Sequence, residues 1–218
     1  MGHTLSEYDS KKLLAEFGIE VPDERLTQSA EQAAAAAREL GLPVAAKLCG
    51  AKVSHKTERN LVRLGLENES AVATASAELL AAATSDDGDV GVLIAPMVSG
   101  RRELIAGLIR DPQFGGCVML GLGGIFAEAL EDVAFAVAPL DDIDAHDLIG
   151  ALQNQKLLAE LRGERETNRK ALAKLLCCLG AIAEARPNVA SIDLNPLIIR
   201  DGEPVVVDAL VELVGDPQ

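Results

Sequence analysis

Ser191-Ile-Asp-Leu-Asn-Pro-Leu-Ile-Ile199, followed by Pro204-Val-Val-Val-Asp208, sets polar oxygens inside two apolar runs. An ordinary buried strand would carry only hydrophobic side chains there. A buried carboxylate is costly unless it is paired or bound to a metal. Asp193, Asn195 and Asp208 therefore read as oxygen ligands for a hard cation such as Mg²⁺. A Mg²⁺ site in turn points to a nucleotide polyphosphate.

Outward from that stretch, the chain of 218 residues is long enough to bury a real core in one large domain or two small lobes. Its 20 basic and 34 acidic residues give a net charge of -14, which repels a phosphate backbone and argues against nucleic acid as a partner. With Tyr8 and four Phe as its aromatics, it has few platforms on which bases could stack. No apolar run approaches the length of a membrane span and no export signal is apparent at the start, so no membrane partner is expected. Cys49, Cys117, Cys177 and Cys178 lie in apolar surroundings without metal-ligand spacing and read as reduced core thiols of a cytoplasmic protein.

Periodicity divides the chain into elements. Ser6, Asp9, Leu13, Leu14 and Phe17 mark an amphipathic helix stopped at Gly18, and Ser29-Ala-Glu-Gln32 opens a second helix that ends at Gly41. Residues 43–48 form a buried strand, 50–60 a basic and flexible loop, 62–66 a strand, and 71–83 an alanine-rich helix. Strands over 90–98 and 103–109 are separated by Ser99-Gly-Arg-Arg102 as in a hairpin. Two further strands, 117–120 and 133–137, precede a mostly helical stretch over 142–186 and a closing hairpin that carries the polar oxygens. This mixed order suits an α+β enzyme of two lobes better than a repeating βαβ fold.

Four further features carry candidate chemistry. Lys47 lies in an apolar run and requires an anionic partner, which a nucleotide phosphate would provide; the alternative is a lysine snorkelling from a strand end. Gly121, Gly123 and Gly124 expose backbone N–H groups that could cradle an anion, or else form a plain turn, and they match neither the dinucleotide fingerprint nor the P-loop. His55 stands among Lys52, Lys56 and Arg59, where an imidazole could accept a phosphoryl group, although a lone loop histidine is more often simply solvated. Glu103 and Glu128 could contact ribose or phosphate-bound metal, or be surface acids.

In order along the chain, the motifs are Phe17-Gly-Ile-Glu-Val-Pro22, Gly41-Leu-Pro-Val-Ala-Ala-Lys47, Ser54-His-Lys-Thr57, Gly100, Glu103-Leu-Ile-Ala-Gly107, Arg110-Asp-Pro-Gln-Phe-Gly115, Gly121-Leu-Gly-Gly-Ile-Phe-Ala-Glu128, Arg162-Gly163 and Asp193-Leu-Asn-Pro-Leu197. With these the chain resembles the ATP-grasp domain, or β subunit, of the ADP-forming acyl-CoA synthetases, relatives of the succinyl-CoA synthetase β subunit. The resemblance covers nearly the whole sequence. It implies an ATP-grasp fold whose two lobes grip ATP, with a lid lobe about 21–93 and a larger lobe of 1–20 plus 94–218. It further implies Lys47 on the phosphates, Ile94, Ala95, Pro96 and Met97 at the adenine hinge, Glu103 on the nucleotide, and Gly121, Gly123 and Gly124 at the phosphates. Asn195 and Asp208 would be Mg²⁺ ligands with Asp193 as a nearby acid, and His55 would relay a phosphoryl group on a mobile loop. A CoA-binding α subunit would hold most of the carboxylic acid and CoA.

One departure stands out. After His-Lys-Thr the family usually has an acid and a pair of glycines, whereas this chain has Glu58-Arg-Asn-Leu61, which implies a stiffer loop. Asn168 stands where an aspartate is common. Two rivals to the synthetase reading remain open on the sequence: a non-catalytic nucleotide-binding regulatory subunit, and an ATP-grasp carboxylate–amine ligase that would not need His55.

Overall fold

A computed structural model describes residues 2–124, 131–161 and 163–215. The chain divides into two compact units, one of Thr4–Ser10 and Pro22–Met97, the other of Met1–His3, Lys11–Val21 and Val98–Gln218. Strand β1 (His3–Thr4) and helix α1 (Glu7–Glu16) open the chain.

The smaller unit is built on a four-stranded antiparallel sheet. Its strands are β2 (Arg25–Thr27), β3 (Val44–Cys49), β4 (Val62–Leu66) and β5 (Gly91–Pro96), in the order β2-β5-β3-β4. Helices α2 (Ala30–Leu40) and α3 (Glu69–Ala81) start where the sequence offers an oxygen cap. Ser29 accepts the Gln32 N–H at 3.3 Å and Asn68 accepts the Ala71 N–H at 2.9 Å. The Asn68 cap explains why α3 begins at Glu69 rather than at 71. Alanines 33, 36 and 37 of α2 share one buried core with Val44, Ala46 and Leu48 of β3 and with Val72 and Leu79 of α3. Leu61, at the end of the 50–61 loop, is 1% exposed and belongs to the same core.

The larger unit carries a seven-stranded sheet. Strands β6 (Arg102–Asp111), β7 (Gly115–Leu122), β8 (Val133–Val137), β9 (Val189–Arg200), β10 (Glu203–Val206) and β11 (Ala209–Leu213) join β1 in the order β1-β11-β9-β6-β7-β8, with β10 also paired to β9. Helix α4 (Asp142–Ala151) starts at Asp141, whose carboxylate accepts the Ile143 and Asp144 N–H groups. Helix α5 (Arg169–Ala185) buries Leu172, Leu176, Leu179 and Ile182. It also approaches β7 so closely that a side chain on Gly116 would sit 2.7 Å from the Ala183 methyl.

Three expectations change. The strands over 90–98 and 103–109 do not form a hairpin: β5 pairs with β2 and β3, whereas β6 pairs with β7 and β9, so residues 97–101 carry the chain from one sheet to another. The closing hairpin gains a third strand, because β9 is long enough to pair with β10 through its second half and with β11 through its first. Residues 4–10 and 94–97, expected in the larger lobe, group with the smaller unit. The pairing of β5 with β3 runs through Pro96, and the Met97 N–H continues it to the Pro43 carbonyl at 3.2 Å.

Candidate functional site

In the larger unit the apolar run with misplaced oxygens becomes β9, and its irregular centre accounts for them. Along β6, Leu104 pairs with Leu197 and Ala106 with Leu194, so Asn195 and Pro196 together face the single residue Ile105. On the other edge, β10 ends with Val206 opposite Leu197 and β11 begins with Ala209 opposite Leu194. Val207 and Asp208 thus face the same break. Proline cannot donate to a ladder and is tolerated inside a sheet at such a bulge, which re-aims the neighbouring side chain. Asn195 and Asp208 occupy this break, and Asp193 lies two residues before it, opposite Gly107 on β6 and Leu210 on β11. Glycine at 107 leaves no side chain beside Asp193 on that flank.

Although Asp193 is open to solvent, the strands crowd its carboxyl. That desolvation pushes it above the ordinary carboxylate value, and the negative charge of Asp208 pushes the same way. Asp208 turns one oxygen to the Ala209 N–H at 2.9 Å. Two carboxylates and an amide, all oxygen donors, are of the kind that Mg²⁺ takes. Among the described residues no group of three or more His, Cys, Asp or Glu side chains converges on a metal-sized site.

Glu103 lies next to the glycine turn. Its carbonyl accepts the Gly123 N–H at 2.7 Å, and a side chain on Gly124, whose φ is +60°, would come within 2.9 Å of its carboxylate. Gly121 pairs with Ile105 on β6 and Val133 on β8 and so belongs to the ladder. Its donor and acceptor serve the sheet, and the turn proper starts at Gly123. Residues 125–130, including Glu128 and the helix start expected there, lie outside the described residues, as does Arg162.

The smaller unit carries the remaining candidates. Lys47 is 6% exposed in the middle of β3, and its Nζ donates to Glu7 Oε1 at 2.6 Å. The other oxygen of Glu7 accepts from Lys56 Nζ. Lys47 is therefore not snorkelling; its charge is met by a carboxylate at the first turn of α1, to which the sequence reading assigned no role. Of the hinge candidates, Ile94 and Ala95 are buried, and Ile94 is part of the core, so only their main chain is available to a ligand. Strand β2 begins, at Arg25, opposite Ile94, so 95–97 run on past it. Pro96 and Met97 are half-buried, and Met97 Sδ accepts the Gly65 N–H at 3.4 Å.

His55 has φ +53° and an imidazole that is 68% exposed, with Nδ1 3.5 Å from Glu58. The segment around it is a hydrogen-bonded turn rather than a slack loop: the Arg59 N–H reaches the His55 carbonyl at 3.0 Å, Asn60 reaches Thr57 at 3.1 Å and Leu61 reaches Lys56 at 2.7 Å. Arg59 and Lys56, read as cations for a phosphoryl group, have carboxylate partners. Arg59 grips Asp87 with both terminal nitrogens, at 2.6 and 2.8 Å. The Arg59 guanidinium and the Thr84 N–H hold the Asp87 carboxyl far below the usual carboxylate range. Where the resemblance has glycines, Asn60 takes the left-handed conformation at φ +57°, which asparagine tolerates better than most residues, and Leu61 enters the core. Only the spacing of Lys47 in an apolar run could have signalled Glu7. The sequence contains too many acids to choose the partner.

Arg102 is a second residue with no role assigned from sequence. It is 6% exposed and donates to Glu164 Oε2 at 3.1 Å, the Ala159 carbonyl at 3.1 Å and the Arg165 carbonyl. It thereby ties Ala159, Glu164 and Arg165 to the start of β6, immediately before Glu103.

A family model described as an ATP-grasp domain matches residues 1–213. The β subunit of acetate–CoA ligase [ADP-forming] I of Pyrococcus furiosus is 36% identical over 208 residues, covering 94% of this chain and 90% of that one. A Ca. Korarchaeum cryptofilum acetyl-coenzyme A synthetase, in complex with coenzyme A and Ca-AMPCP, superposes with a TM-score of 0.90 at 36% identity over 97% of this chain and 94% of that one. Another structure of that synthetase, with coenzyme A and Mg-AMPPCP and its phosphohistidine segment pointing towards the nucleotide binding site, gives a TM-score of 0.85 at 35% identity over 97% and 93% of the two chains. Among the described residues no helix is long and apolar enough to cross a membrane. Over nearly its whole length, in sequence and in fold alike, the chain belongs to the ATP-grasp family, with the β subunits of ADP-forming acetate–CoA ligases.

Proposed function

We propose that this chain is the nucleotide-binding β subunit of an ADP-forming acyl-CoA ligase, which interconverts acyl-CoA, ADP and phosphate with carboxylic acid, CoA and ATP. Its own part is phosphoryl transfer between the nucleotide and His55. The partner is a CoA-binding α subunit that carries the acyl chemistry, in keeping with the subunit naming of the Pyrococcus relative. The observation that carries the reading is the oxygen set of Asp193, Asn195 and Asp208 at the broken centre of β9, which suits a cation that accompanies nucleotide phosphates.

Positioning and charge neutralisation are what such a transfer needs from a protein. Lys47 would meet the phosphates in place of Glu7, the glycine turn would offer the Gly124 N–H, Glu103 would contact the nucleotide, and the main chain of 94–97 would take the adenine edge. Mg²⁺, held by Asn195 and Asp208 with Asp193 beside them, would offset phosphate charge. In the ATP-consuming direction an imidazole nitrogen of His55 forms a bond to the γ-phosphorus while the bond to the bridging oxygen of ADP breaks, leaving ADP and phosphohistidine. The exposed imidazole on its left-handed turn is accessible for that attack. ADP accepts the group by the reverse step.

Incubation with γ-labelled ATP and Mg²⁺ tests this directly. The wild type takes up acid-labile, base-stable label, and His55→Ala binds Mg-ADP but takes up none. Nucleotide binding without label, even with a CoA-binding α subunit added, would instead favour the regulatory reading.

A further inference from the structure

The Glu7 carboxylate meets both Lys47 and Lys56, one beside each of its oxygens. Lys47 on β3 donates to Oε1 at 2.6 Å and Lys56 donates to Oε2. The side chains of Glu7 and Lys47 are 3% and 7% exposed, so the first pair is shielded from water and its interaction is strong. Lys56 directly follows His55, and its carbonyl also accepts the Leu61 N–H, tying it to the core. One oxygen of Glu7 is thus joined to the proposed phosphate lysine, and the other to the residue next to the proposed phosphoryl acceptor. Glu7 itself is fixed at the start of α1, where Ser6 accepts the Asp9 N–H at 3.1 Å.

We infer that Glu7 is a positioning residue that couples nucleotide occupancy at Lys47 to the placement of the His55 turn. The inference rests on the proposed roles of Lys47 and His55. A carboxylate shared by two ammonium groups divides its field between them. When a nucleotide phosphate draws Lys47 away, more of the charge of Glu7 falls on Lys56, and the turn beside His55 tightens. In the absence of nucleotide the shared carboxylate holds Lys56 less firmly, and the turn opens more often. Sequence separation hides this link, because Glu7 stands 40 residues before Lys47 and 49 before Lys56.

Hydrogen exchange of the full chain, with and without Mg-ADP, reads the coupling at the amides of Arg59, Asn60 and Leu61, all of which are hydrogen-bonded inside the turn. In the wild type, Mg-ADP should slow their exchange. Glu7→Gln should bind Mg-ADP yet lose that slowing, and label His55 from ATP about tenfold more slowly. Lys56→Met leaves the Lys47–Glu7 pair in place and should lose the slowing in the same way, so the inference stays testable even if Glu7→Gln folds poorly. A wild-type response in either variant, with Lys47→Met impaired in Mg-ADP binding, would overturn the coupling while sparing the functional reading. Unchanged Mg-ADP affinity in Lys47→Met would overturn the role of Lys47 and the coupling with it.

Discussion

Replacing Arg102 with methionine probes whether the buried guanidinium holds the larger unit together. The substitution keeps an unbranched apolar stem and removes the charge and all donors. Three contacts are lost: to Glu164, to the Ala159 carbonyl and to the Arg165 carbonyl. The longer approaches to the Leu157 carbonyl at 3.4 Å and Thr167 at 3.5 Å add little. At about 1.5 kcal/mol for each charge-assisted bond, the loss comes to about 4–5 kcal/mol. Glu164 is 26% exposed and can turn to water, which lowers the figure to about 3–4 kcal/mol, within the range for breaking a buried pair. With a urea slope of about 2 kcal/mol per molar, the unfolding midpoint followed by circular dichroism should fall by roughly 2 M. Arg102→Lys retains the charge but not the planar fork, and should lose about half as much. A midpoint within about 0.3 M of wild type for Arg102→Met, well below what one lost hydrogen bond would produce, would show that the guanidinium does not stabilise the larger unit.

Two predictions concern carboxylates whose titration the fold displaces in opposite directions. The raised value of Asp193 means that its charge is disfavoured in the folded state; its contribution is fully present below the unfolded value near ~3.9 and is lost as pH rises through the folded value. Asp193→Asn should therefore leave the melting temperature at pH 7 equal or higher without ligand, yet weaken the stabilisation by Mg-ADP, which is worth about 2.7 kcal/mol at a hundredfold excess over Kd; an undiminished Mg-ADP effect would remove Asp193 from the site. Asp87 behaves oppositely: its depressed value gives stability that is present above the unfolded value and is lost as pH falls through the folded one. Asp87→Asn should melt lower than wild type at pH 7 and the gap should narrow by pH of about 2.5, whereas a gap independent of pH would show that the Arg59 pair contributes nothing through charge.

Local features were legible from the sequence because their causes are local. The cap at Ser29 acts on the N–H of Gln32, three residues on, and the glycine stop at Gly41 needs only its φ of +85°. The polar oxygens of β9 stood out because alternation and apolarity are properties of a single strand. A lysine inside Pro43-Val-Ala-Ala-Lys-Leu48 announced that some anion must meet it, whatever that anion was.

The identity of that anion was a tertiary matter. Glu7, one of 34 acids, meets Lys47 only because the first turn of α1 lies against β3, and Arg59 finds Asp87 across 28 residues by the same kind of packing. Pairing between strands was likewise undecided: β5 and β6 are near neighbours in sequence with similar patterns, yet each pairs in a different sheet, because alternation specifies which face a residue takes and not which strand it lies beside. Sequence alone marked most of the elements, the polar oxygens of β9 and the need of Lys47 for an anion. Only the folded chain decided which strands pair and which carboxylate meets Lys47, since a charge reveals its need through its immediate neighbours but finds its partner through space.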